Sequence, residues 1–155
     1  MTNPEAIVPD SKDWTWVLTK PCAECGFDAG SIAATDVAAM VMTNAALWQE
    51  VLQHSDARER PEPGVWSPLE YACHVRDVFD LYDYRLQLML DNDAPKFPNW
   101  NQDETALKER YDLQDPAAVW IELFLSADRL SQSFAAVEDD QWQRTGFRNR
   151  LPSCG

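Results

Sequence analysis

Proline placement is the feature that most constrains what this chain can fold into. Ten prolines fall in clusters, at Pro4, Pro9 and Pro21, at Pro61, Pro63 and Pro68, and at Pro95, Pro98, Pro116 and Pro152. Proline removes a backbone N–H and clashes with the preceding helical turn, so helices must lie between these clusters. The long intervals after Pro21, Pro68 and Pro116 are free of it and are therefore open to helix. Only 5 Gly are present, which disfavours a turn-dense all-β fold.

Apolar periodicity fills those intervals with three helices. The first starts after Thr35, with Asp36 complementing the helix dipole, and carries Val37, Met40, Val41, Trp48, Val51 and Leu52 on one face. Asn44 shares that face and needs a partner. The second has the clearest start: in WSPLE, Ser67 is the N-cap, Pro68 the first helical residue and Glu70 the third, a capping box with proline where its missing N–H costs nothing. Trp66 and Tyr71 are spaced as a hydrophobic staple. This helix runs to about Leu90, with Tyr71, Val75, Val78, Tyr82, Leu86 and Met89 as its stripe and Arg76, Asp80, Asp83 and Gln87 opposite. A long loop with one or two short turns follows. Asp115-Pro116 then opens a third helix, striped by Trp120, Leu123, Phe124, Ala127, Leu130, Ser131, Phe134 and Val137. The remainder, QWQRTGFRNRLPSCG, has no periodicity. The expected fold is all-α, an up-and-down bundle.

At 155 residues the chain has the size of one domain, and 45% hydrophobic content with 7 Trp makes disorder untenable. The net charge of −13 excludes nucleic acid and anionic membrane surfaces as natural partners. Arg144, Arg148 and Arg150 are too sparse to form a basic patch. No apolar run reaches the ~20 residues of a membrane span. MTNPEAIVPDSKDW has neither the basic start nor the apolar core of a signal peptide, so a cytoplasmic location is expected, with the four Cys reduced.

Few residues carry chemistry. His74 lies on the flank of the second helix's apolar stripe, and Val78, Leu81 and Arg85 follow in the same row. Periodicity alone favours a hydrogen-bonded His at the bundle edge and an Arg reaching for water over a ligand role. His54, the only other His, is placed as a surface cap at the end of the first helix. Cys22 and Cys25 form a C-x-x-C, which is half of a zinc site; two reduced thiols in a tight turn is the plainer reading. Cys73 and Cys154 have no such partner. Asp77, Asp80 and Asp83 are read as a solvated face. No P-loop, G-x-S-x-G or G-x-G-x-x-G is present.

WSPLEYACHVRDV followed by YDYRLQLML resembles the DinB superfamily, in particular DinB-like proteins related to mycothiol-dependent enzymes. DWTWVL, KPCAECGFD and NWNQDETA resemble segments of the same subgroup, and the likeness runs from about Asp13 to Gly146. The resemblance implies a four-helix bundle holding a divalent metal, zinc or nickel, on three His, with a thiol cofactor such as mycothiol or bacillithiol activated for S-transfer or for hydrolase-like chemistry. His74 matches the ligand from the second helix, and Asp77 and Arg85 match recurrent polar positions. The other two ligands would come from a His-x-x-x-His on the last helix, and no His follows His74. The expected organisation is an irregular segment over 1–34 with the C-x-x-C, an incomplete DinB-like helical domain over 35–146, and a non-matching tail over 147–155. The last helix is expected to be missing or replaced by that tail, leaving a form silent in metal-dependent catalysis. The alternative is a non-catalytic helical association module or decayed paralogue, with a homodimer formed through an exposed apolar groove.

Overall fold

The computed structural model describes residues 6–10 and 12–148. Three long helices dominate: α1 (Val37–Gln53), α2 (Pro68–Asp91) and α4 (Pro116–Ala135). A seven-residue α3 (Gln102–Lys108) lies in the connection between α2 and α4, and two short strands, β1 (Lys96–Phe97) and β2 (Phe147–Arg148), pair in parallel. The chain is thus all-α apart from that pair. Arg150, Cys154 and the rest of the tail over 149–155 lie outside the described residues.

The helix starts follow from local chemistry. Ser67 Oγ accepts from Glu70 N at 3.2 Å, and Glu70 Oε2 accepts from Ser67 N at 2.8 Å, closing the capping box. Trp66 packs edge-on against Tyr71, with ring centroids 5.4 Å apart. Asp115 caps α4 through Ala118 N at 2.9 Å. A short 3-10 turn, Ala34–Asp36, leads into α1, and Asn44 finds its partner in Trp48, whose Nε1 donates to it at 3.3 Å.

Helix α4 is the hub. It packs extensively on both α1 and α2, which barely touch each other. Its Val119, Leu123, Ser126, Ala127 and Leu130 are buried, meeting Ala45 and Leu52 of α1 and Leu69, Ala72, Cys73 and Phe79 of α2. Tyr111, fully buried just before α4, completes this core.

The core-facing side of α2 is not the predicted stripe. Of that stripe Leu86 is buried and Val75 packs against the core, but Leu69, Ala72, Cys73 and Phe79 are buried on a face roughly 120° around the axis from Tyr71 and Tyr82. Tyr71 and Tyr82 are 44% and 51% exposed. The face read as solvated is instead the seam with α4. Across it Arg76 reaches Glu122 at 2.6 Å, Arg129 reaches Asp80 at 2.8 Å, and Ser133 donates to Asp83 at 2.5 Å. The small and mixed residues Ala72, Cys73 and Arg76 let α4 approach closely.

After α4 the chain turns back onto the far end of α2. Trp142, in a 3-10 turn over Asp139–Gln143, stacks on Phe134 at 6.1 Å. Arg144 Nη1 donates to the carbonyls of Met89 and Asn92, at 3.0 and 3.3 Å, where the last turn of α2 leaves acceptors unpaired. Phe147 N donates to Pro95 O at 2.8 Å, opening the β1–β2 pair.

Candidate functional site

The face of α2 that carries Tyr71, His74, Val78 and Tyr82 is covered by the β1–α3 segment rather than by a long helix. That segment brings Trp100 onto His74: the two rings are parallel within 3°, with centroids 5.3 Å apart. Trp66 approaches the imidazole from before the helix, at 5.1 Å and 41°. Trp100 is held in place by α3, since its Nε1 donates to Thr105 Oγ1 at 2.8 Å and Thr105 Oγ1 donates to Asn101 O at 2.9 Å.

Two recesses meet at this aromatic stack. The larger, about 680 Å³, is walled by Ile7, Val8, Trp14, Trp66 and Tyr71 and also presents Asp10 and Asp103. The smaller, about 210 Å³, is walled by Val78, Leu81, Tyr82 and Arg85. His74, Asn99, Trp100, Gln102 and Arg148 line both.

Among the described residues, three buried side-chain polar atoms lack a hydrogen-bond partner: Trp66 Nε1, His74 Nδ1 and Arg85 Nε. All three residues line these recesses. Buried polar groups are nearly always satisfied, so this cluster makes the two recesses the candidate site. Burial depresses the His74 pKa below its ordinary value, against the opposing pull of Asp77 and Asp103. The ring is therefore neutral at neutral pH.

Asp77 does not face this site as a free carboxylate. It accepts from Arg76 Nε at 2.8 Å and from the Tyr111 hydroxyl. Arg76 Nη1 also donates to Gln114 Oε1 at 2.8 Å. Asp77 thus fastens α2 to the segment before α4. His54 caps α1, is 69% exposed at its side chain, and pairs with Asp56. It lines neither recess. Cys22 and Cys25 sit in a turn closed by Cys22 N to Phe27 O and Gly26 N to Cys22 O, each 2.8 Å, with Gly26 at φ +75°. Cys22 is buried and Cys25 exposed. The backbone N–H groups of Cys25 and Glu24 and the Cys25 thiol lower the Cys22 pKa. Cys73 is buried in the core, where burial pushes its thiol up to about 12.

These residues do not fit a three-ligand metal centre. No group of three or more His, Cys, Asp or Glu able to hold an ion exists among the described residues. His74 brings a neutral imidazole of the right chemistry, but Asp77 is engaged by Arg76 and Tyr111, and the C-x-x-C lies apart. Sequence reasoning found His74 and Arg85 but missed Trp66 and Trp100 as walls of one site. Asn101 followed by Asp103 and Glu104 was the available signal for α3, an N-cap with an acidic first turn.

The family model described as DinB superfamily matches residues 37–153. No curated protein and no solved structure matches the chain.

Proposed function

The chain belongs to the DinB superfamily, and from that premise we propose that the recess around His74 is a small-molecule pocket that binds without a tightly held metal. The observation that carries this reading is the convergence of the unpartnered Trp66 Nε1, His74 Nδ1 and Arg85 Nε on one aromatic-walled cleft. In the thiol-transferase members that the sequence resembles, a divalent metal makes a cofactor thiol nucleophilic. In this reading His74 serves as a neutral polar wall of the pocket rather than as a metal ligand.

Calorimetric titration of the metal-stripped protein with zinc and with nickel tests the reading, with His74→Ala alongside. No micromolar binding is expected. Tight binding that disappears in His74→Ala would overturn it in favour of a metal-dependent S-transferase or hydrolase-like enzyme. The pocket itself is tested with phenol, a neutral aromatic probe: saturable quenching of Trp fluorescence, weakened by Trp100→Ala, is expected.

A second reading, a helical association module, has Ile121 and Leu125 in its favour. They lie one turn apart on α4 and are 59% and 52% exposed. Sedimentation across a concentration series, with Leu125→Glu as control, separates the two: a concentration-dependent dimer abolished by Leu125→Glu supports association.

A further inference from the structure

We propose that the smaller recess is an anion site that takes the carboxylate of a small organic acid between Arg85 and Arg148. The inference rests on the pocket reading above and adds the charge of the ligand.

The first argument is the company the arginines keep. In a chain with 26 acidic and 13 basic residues, carboxylates are abundant. Among the other described arginines, Arg60, Arg110 and Arg129 each pair with one and Arg76 with two, while the exposed Arg58 and Arg144 pair with none. Arg85 and Arg148 pair with none among the described residues, although both line this recess. The recess wall itself contains no Asp or Glu; Asp10 and Asp103 line only the larger one.

The second argument is burial. Arg85 is 9% exposed, and among the described residues its Nε has no acceptor and its one hydrogen bond is from Nη2 to Pro98 O at 3.2 Å. Its guanidinium carbon lies over the Phe97 ring, 4.7 Å from the centroid, a cation–π contact that holds the side chain beside the recess. An arginine whose Nε is enclosed without an acceptor ordinarily meets a carboxylate, because a partly desolvated charge without a counter-charge is costly. Its fork geometry suits a carboxylate held by two parallel bonds.

The third argument is the wall around the charge. Trp100 and Tyr82 offer flat apolar surface for the body of the acid, and Asn99 and Gln102 offer neutral amides. An aromatic-walled recess of about 210 Å³ suits a planar organic acid better than a bare inorganic anion.

The test compares benzoate with benzamide, its neutral isostere, and with inorganic phosphate, read by Trp fluorescence on the full chain. Benzoate is expected to bind about tenfold or more tightly than benzamide, as a charge-assisted pair requires. Arg148→Gln, at an exposed position that does not threaten the fold, and Arg85→Lys, which keeps the charge but loses the fork, should each erode that preference. Equal binding of benzoate and benzamide, unmoved by either substitution, overturns the anion assignment and leaves the pocket reading standing. Phosphate binding more tightly than benzoate overturns the organic acid. Failure of phenol, benzamide and benzoate alike overturns both readings together.

Discussion

His74 and Trp100 stack ring on ring, 5.3 Å between centroids and 3° between planes, although one belongs to α2 and the other to the connection ahead of α3. Burial among these aromatics lowers the imidazole pKa. The unfolded chain, with an ordinary His near pH about 6.5, then binds more protons than the folded one as pH falls through that value. Stability from this group is complete above the unfolded pKa and declines from there down to the depressed folded pKa. Urea melts at a series of pH values should show that decline, and His74→Gln should flatten it. An NMR titration of His74 with a midpoint at or above the ordinary His value would contradict the burial argument.

Tyr111 is fully buried, and its hydroxyl donates to Asp77, which also holds Arg76. Tyr111→Phe keeps the ring and removes the donor. Hydrogen bonds to charged groups contribute roughly 1.5–3 kcal/mol, and a loss of that size is expected in denaturant melts. Wild-type stability in Tyr111→Phe would mean that Asp77 is satisfied without it.

Ser67→Ala should destabilise the domain by about 1 kcal/mol, through loss of the bond to Glu70 N. The pH dependence of the same motif has the same sense as that of His74 but lies in the more acidic carboxylate range. Burial alone would raise the Glu70 carboxyl, but Arg60 and the Ser67 N–H outweigh it and hold the pKa below its ordinary value. That stabilisation is present above the unfolded carboxylate pKa and is lost as pH falls through the folded one. Glu70→Gln should therefore blunt acid unfolding, and an acid limb unchanged by the substitution would refute the assignment.

The parts of this fold that could be read from sequence are those set by neighbours in the chain. Ser67-Pro68 and Asp115-Pro116 announce helix starts because a cap is a bond across three residues. Which face of α2 meets the bundle could not be read the same way. Tyr71 and Tyr82 outweigh Ala72 and Cys73 in any apolar pattern, yet close approach of α4 selects the small residues, and the tyrosines go to the cleft. The row His74, Val78, Leu81 and Arg85 was legible and does line one recess. Its other wall was not, because Trp100 and Arg148 reach it through long-range contacts: Trp100 across a connection shaped by α3, Arg148 across a strand pair with β1.

Gly146 ties the segment after α4 to that wall. A Cβ built there would stand 2.7 Å from Phe97 Cε1 and 3.0 Å from Met89 Cγ and Sδ. Met89 is a flexible side chain and can yield. Phe97 is buried, with the Arg85 guanidinium 4.7 Å over its ring, and cannot move without moving the cation. Gly146→Ala should therefore cost about 1–3 kcal/mol by overpacking. It should also weaken benzoate binding, because Phe97 sets where the guanidinium points. Gly64 is the comparison at the other recess: its Cβ would meet Val8, a wall of the larger recess, at 2.9 Å, far along the chain from Phe97. A Gly146→Ala protein as stable as wild type, with benzoate affinity intact, would show that β2 does not dock on β1 tightly enough to shape the recess. A loss of both that Gly64→Ala does not reproduce places the β1–β2 pair in the support of Arg85.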